Sequence, residues 1–312
     1  MNFLDKVVGL YHFIWDRTPR NIPLVEPQPR AVNHWSKDGR ALVAKATATG
    51  DLRSSVERAI GLLGKLGQLI SPGDRVLVKP NFNSPDPFPG STDLDFLQVV
   101  LELLLELGAK VTVGESSGGI WRPTKKVMQK LNAFELTRRL GVELVAFEEQ
   151  DDWVRVNIRG DYLGSVTVPR IAYEADKLIY LPCMKTHNLA RFSGALKLAV
   201  GLMHPGERRA LHARHLEEKV AEISLFRQPD LIIMDGRKAF VSGGPDKGEL
   251  VEPGILLASG DLVATDVEAM KVLLTYKARN KLLADPWRSP QIVTASRHNL
   301  GAVGNYLVVS ET

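Results

Sequence analysis

Apolar and polar positions along this chain fall into blocks with different periods. Residues 1–15 set Phe3, Val7, Leu10, Tyr11 and Ile14 at helical spacing, which predicts an amphipathic helix. Residues 16–40 are polar and proline-rich, follow neither period, and read as an extended arm. The arm has two readings, a surface tail or a segment that forms a homodimer. From residue 41 short apolar runs alternate with amphipathic ones. ALVAKATA predicts a strand, and DLRSSVERAIGLLGKL a helix capped by Asp51 or Ser54. RVLVKPN is nearly continuous in apolar character, the pattern of a strand covered on both faces. STDLDFLQVVLELLLELG predicts a helix stopped at Gly108. AKVTVGES and VELVAF read as strands, with KVMQKLNAFELTRRLG as one helix between them. DWVRVNIRGDYLGSVTVPR departs from this alternation and predicts an inserted hairpin. KLIYLPCMKTH, PDLIIMDG and GILLASGDLVATDVEAMKVLL complete the series, the last running from strand into helix.

The alternation predicts an α/β fold with a largely parallel, helix-covered sheet. Residues 1–40 form the arm and residues 41–312 the α/β domain, as one body or as two lobes around a cleft. At 312 residues and 44% hydrophobic content the chain can bury a large core. No apolar run approaches the roughly 20 residues of a membrane span. The first residues lack a basic segment and a cleavage site, so neither a membrane partner nor a secretory signal is expected. A single cysteine, Cys183, excludes an internal disulfide and an all-cysteine zinc or iron–sulfur site. A cytoplasmic location is the corresponding expectation. The net charge of +4 is spread along the chain, which allows an anionic ligand and does not indicate nucleic-acid binding.

In open α/β sheets, ligands bind beyond the carboxyl ends of the strands. That rule singles out Lys79 and Asn81, the loop of Glu115, Ser116 and Ser117, Lys185 and His187, and Asp235. It predicts that Lys79, Glu115, Lys185, His187, Lys197 and Asp235 line one cleft. GESSGG resembles a phosphate-cradling loop, yet no Gly-Lys-Ser/Thr closes it and G-x-G-x-x-G is absent. Residues 178–215 hold four of the seven histidines. His187 is the candidate general acid/base, because an imidazole with an ordinary pKa of about 6.5 exchanges protons near neutrality. Lys197, inside the small and apolar run SGALKLAVGL, is an anion anchor or a covalent tether. His212 and His215, read as i, i+3 neighbours on one helix, are the metal candidates. Arg208, Arg209 and His215 also fit ordinary surface charge. Cys183 reads as buried and inert, and Asp235 and Asp266 as groups that orient the others. The site is expected to take a small anionic substrate or cofactor, with turnover or as a non-catalytic anion- or nucleotide-binding module.

The ordered set PGDRVLVKPNF, GAKVTVGESSGG, ADKLIYLPCMKTH, SGALKLAVGL, PDLIIMDG, GGPDKG and LASGDLVATD resembles the domain of unknown function family 362, over roughly residues 41–272. Many members of that family carry a cysteine-rich ferredoxin segment. With Cys183 alone, this chain carries no iron–sulfur implication. HNLARFSGALK, followed by a later histidine, is more distantly similar to the core of the nickel-pincer lactate racemases. That resemblance implies proton transfer by His187, a pincer nucleotide tethered on Lys197, nickel on His212, and racemase- or isomerase-like chemistry. GIWRPT is similar to a racemase loop that carries a second proton-transferring histidine. Here Trp121 precedes Arg122-Pro123, so that second group is missing.

Overall fold

The computed structural model describes residues 3–29 and 32–311. Eight strands lie side by side in the order Leu307–Ser310, Arg40–Thr47, Ile255–Ser259, Leu231–Gly243, Lys177–Leu181, Arg75–Pro80, Lys110–Glu115 and Glu143–Ala146. The last five named are mutually parallel. Ile255–Ser259 runs against both of its neighbours, and Leu307–Ser310 is again parallel to Arg40–Thr47. The fold is therefore α/β, around a mostly parallel sheet.

Both faces of the sheet are buried, which is why the strands read as continuous apolar runs. Leu77, Leu178, Tyr180 and Met234 belong to one core. Their neighbours in the chain, Val76, Val78, Ile179, Leu181 and Ile233, belong to the other. This is the two-residue period of a strand seen from both sides. Some of the helices start where a short acidic side chain caps them. Asp51 accepts from the Ser54 N–H, and Asp93 from the Phe96 N–H ahead of Leu94–Glu106.

Several elements differ from the sequence reading, each for a local reason. KVMQKLNAFELTRRLG forms two helices, Thr124–Lys130 and Ala133–Leu140, because Asn132 takes the left-handed conformation at φ 62°. His215 does the same at φ 54° and separates Arg208–Ala213 from Leu216–Ile223. The apolar run after Lys177 is two strands, Lys177–Leu181 and Cys183–His187, interrupted at Pro182. Both pair with the long Leu231–Gly243 strand, which continues well past Gly236, where the sequence reading ended it. The expected hairpin is present as Trp153–Val156 against Val166–Pro169.

Among the described residues, 16–40 carry little regular structure, as expected, but the arm is not free. Phe3–Trp15 is a helix. Leu24–Val25 adds a parallel strand to the hairpin at Arg155 and Val156. Trp35 is buried in the core behind the sheet. The arm thus packs on its own chain. The parts of the expectation that fall on residues 1, 2, 30 and 31, and on the Phe3 side chain, lie outside the described residues. Among the described residues no helix is long and apolar enough to cross a membrane.

Candidate functional site

Parallel pairing brings Lys79 and Glu115 side by side at the carboxyl ends of adjacent strands. Lys79 Nζ lies 2.6 Å from Glu115 Oε2, with the two side chains 0% and 3% exposed. Lys79 also donates to the Pro80 carbonyl at 2.9 Å. Glu115 accepts from the Phe82 N–H at 3.0 Å and the Ser116 N–H at 2.7 Å. Both partners thus hold further hydrogen bonds to the backbone, which a buried ion pair needs to persist. Burial pushes the Lys79 ammonium down, and Glu115 opposes that shift. Gly201 lies over the pair: a Cβ there would sit 2.1 Å from Glu115 Oε1 and 2.6 Å from Lys79 Nζ.

Two more lysines converge on the same space without a carboxylate partner. Lys185, on Cys183–His187, is buried and donates to the Gly90 carbonyl at 2.5 Å. Burial lowers its pKa. Lys197 sits on the short helix Ala195–Leu198. Asp266 holds the start of that helix by accepting from the Ala195 and Leu196 N–H groups, at 2.6 and 3.0 Å. Burial raises the Asp266 carboxyl to about 7. The approach leaves no room for a side chain at Gly194, where a Cβ would lie 2.3 Å from Asp266 Oδ1. Lys197 has no hydrogen-bond acceptor among the described residues. Burial, then the neighbouring Lys185, bring it down to about 8.

The histidines separate into different roles. His187 Nδ1 accepts from the Leu189 and Ala190 N–H groups at 3.0 and 3.1 Å. In the neutral ring the proton must then be on Nε2. Burial, followed by Lys197 and Lys185, lowers its pKa to about 2. His212 is the reverse case. Its Nδ1 lies 2.7 Å from the Arg208 carbonyl, which can only accept, so Nε2 is left as the acceptor or ligand atom. His204 accepts from the Gly206 N–H and packs edge-on against Trp153, where it caps a turn. His215 stacks on Tyr162 at 4.6 Å.

One cavity of about 520 Å³ unites Lys79, Asn81, Glu115, Ser116, Lys185, His187, Lys197 and His212. Ser117 is buried just behind it, donating to the Phe82 carbonyl. The expected convergence fails at Asp235. Because its strand continues, Asp235 is not at a strand end; it pairs with Arg237 at 2.7 Å, which also reaches Asp93. The metal pair His212/His215 is not assembled, because the chain turns at His215 and only His212 lines the cavity. Among the described residues the one group of three with metal-ligand spacing is Asp161, Glu222 and His298, none of which lines the cavity. The phosphate-cradle reading of GESSGG also fails for its serines. The Ser116 amide is taken by Glu115 and the Ser117 amide by Thr124 Oγ1.

Two participants escaped the sequence reading. Arg208, expected at the surface, is buried and donates to the carbonyls of Ser116, Ser117 and Met203, clamping the 115–118 loop. Asp246 accepts from Trp121 Nε1 at 3.0 Å and Asn83 Nδ2 at 3.2 Å, so it ties two loops at the cavity. It lies in GGPDKG, a motif that carried the family resemblance without a role of its own. The Ser116 hydroxyl is buried without a partner. In sum, Lys79, Lys185, Lys197 and Arg208 face two carboxylates, Glu115 and Asp246. Ile120, Leu189, Leu198 and Val200 give the cavity an apolar wall. A second cavity, about 570 Å³, adjoins Arg75 and Lys110 at the opposite ends of the strands, and exposed Arg75 there pairs with Asp176.

A mostly parallel α/β sheet with a cationic cavity beyond its strand ends is thus the class of protein this chain represents. The family model described as a domain of unknown function (DUF362) matches residues 76–271, and the chain belongs to that family. A similar curated protein is the thylakoid-associated protein sll1697 of Synechocystis sp., 28% identical over 242 residues, which are 74% of this chain and 73% of that one. Among solved structures, the lactate racemase apoprotein from Thermoanaerobacterium thermosaccharolyticum is similar at a TM-score of 0.40 and 14% identity. That match covers 77% of this chain and 59% of the racemase chain, so this chain spans less than two thirds of its length.

Proposed function

We propose that the chain is an enzyme that binds a small molecule bearing carboxylate or phosphate groups in the 520 Å³ cavity. The observation that carries this reading is Lys197, a half-buried lysine that lines the cavity with no hydrogen-bond acceptor among the described residues. Drawing an unpaired ammonium partly out of water is unfavourable. An anionic ligand would offset that cost.

The proton-transfer roles differ from the sequence expectation. An imidazole with a pKa near 2 is a weak base, so His187 acts as a neutral donor through Nε2–H, polarising a substrate oxygen. Lys197, at about 8, holds its proton at pH 7 and serves as the charge partner of the bound anion. A metal is the second part of the proposal. A ligating histidine donates its other ring N–H to a fixed acceptor, and His212 does so while His187 does not. One imidazole does not make a metal site. The residues fit a metal brought in on an organic group, with His212 as ligand; a covalent tether on Lys197 is the alternative to its role as anion anchor, since the two use the same amine.

Calorimetric titration with mono- and dicarboxylates and with inorganic phosphate tests the reading. We expect at least one anion to bind at pH 7. Its affinity should fall roughly tenfold per pH unit above about 8, as free Lys197 loses its proton while the complex requires it. Lys197→Met should abolish binding. His187→Gln should retain binding and lose turnover, whereas a module without catalysis would show no turnover to lose. Absence of binding across the series would end the proposal.

A further inference from the structure

We propose that the Phe3–Trp15 helix is an anchor that lies on the surface of an anionic phospholipid bilayer. Most of the described apolar side chains of this helix face away from the protein. Among the residues whose side chains are described, its protein-facing side carries buried Gly9 and half-buried Val8 and His12. Gly9 packs backbone to backbone on the Gly119–Trp121 turn, where a Cβ would lie 2.0 Å from the Ile120 oxygen. Asp16, just past the helix, pairs with Arg122. The outer side carries Val7, Leu10, Tyr11, Ile14 and Trp15, with Tyr11 and Trp15 each 61% exposed. Residues at these spacings form one stripe. A soluble surface helix would place that stripe inward, so some apolar medium is needed to cover it.

The composition and size of the stripe favour lipid. Its C-terminal end carries Tyr11 and Trp15, the residue types that settle at the headgroup level of a bilayer. Exposed Arg17 and Arg209 both donate to the Ile14 carbonyl, at 2.8 and 3.0 Å, and exposed Arg20 follows. An apolar stripe bordered by guanidinium groups is the make-up of an interfacial helix drawn to anionic headgroups. A second copy of the chain is the weaker occupant. Thirteen residues make a helix about 20 Å long and about 10 Å wide. That footprint, about 200 Å², is well short of the roughly 800 Å² per partner in a stable interface. The expectation of no membrane partner rested on the lack of a spanning segment, which does not bear on a helix lying in the surface plane.

Co-sedimentation of the full chain with vesicles tests this. The chain should bind phosphatidylglycerol–phosphatidylcholine vesicles at least tenfold more tightly than phosphatidylcholine alone, and lose that binding as salt rises. The triple variant Leu10→Ser, Ile14→Ser, Trp15→Ser should weaken binding at least tenfold while keeping the wild-type thermal midpoint, because these side chains are exposed. Failure of the wild type to sediment, or equal sedimentation of the triple variant, would overturn the anchor. So would a dimer mass in light scattering that the same variant reduces to a monomer, since that would assign the stripe to a second copy. Anion binding in the cavity should be untouched by the variant, which keeps this result separate from the proposed function.

Discussion

Lys197→Met should make the ligand-free chain more stable while abolishing anion binding. Both effects come from one physical fact. In the folded chain, partial burial brings Lys197 from its ordinary 10.5 to about 8, so at pH 7 the chain carries a half-buried, unpaired ammonium that the unfolded chain keeps fully in water. The corresponding cost is on the order of 2–4 kcal/mol. Methionine fills much the same space without the charge. The pH dependence distinguishes this from a packing effect. Below about 8 the lysine is protonated in both folded and unfolded chains, and the penalty is complete. Between about 8 and 10.5 the unfolded chain binds the proton more tightly, so wild-type stability gains from this group as pH rises. The advantage of the variant should therefore be largest at neutral pH and vanish near pH 10.5. Thermal melts of both chains from pH 6 to 10 would show it. A variant that melts lower than wild type and still binds the anion would make Lys197 a structural residue. A residue that costs stability and is needed for binding is the expected mark of a functional site.

The sequence made part of this legible. Lys79, Glu115, Lys185 and His187 could be placed together because the strands were readable as buried runs and parallel strands share one carboxyl end. Lys197 could be added because a lysine among small apolar residues needs an explanation. Other positions depend on tertiary facts with no local signal. Asp235 looked like a strand end only because Gly236 follows it, and strand pairing carries the chain seven residues further. The break at His215 needs a left-handed residue where no glycine announces one. Arg208 lies on a helix with a basic neighbour, the pattern of a solvated face, yet it is buried among carbonyls contributed by the 115–118 loop. Whether the stripe of the N-terminal helix faces in or out cannot be read from its period, since the period is the same in either orientation.

Glu115→Gln should be the most destabilising single change at the cavity, by roughly 3–5 kcal/mol, the range for removing one partner of a buried ion pair. Glutamine preserves shape and can still accept one of the bonds that the Phe82 and Ser116 amides donate. What it removes is the charge that keeps Lys79 protonated. Burial already pushes that lysine down, and Glu115 is the main group pushing it back. In the variant Lys79 must stay charged without a partner or give up its proton, and either choice costs free energy at pH 7. The unfolded chain also loses the lysine proton as pH approaches 10.5, so the deficit should shrink toward alkaline pH. The second change, Lys79→Met in the Glu115→Gln background, should restore most of the loss, because no unpaired charge remains. Gly201→Ala should resemble Glu115→Gln without its pH dependence, since its Cβ would meet both ends of the pair. Denaturant melts of the wild type and the three variants at pH 7 and pH 10 separate these cases. If Glu115→Gln is near neutral at pH 7, Lys79 is not charged in the folded chain, and the cationic floor of the cavity loses one of its members.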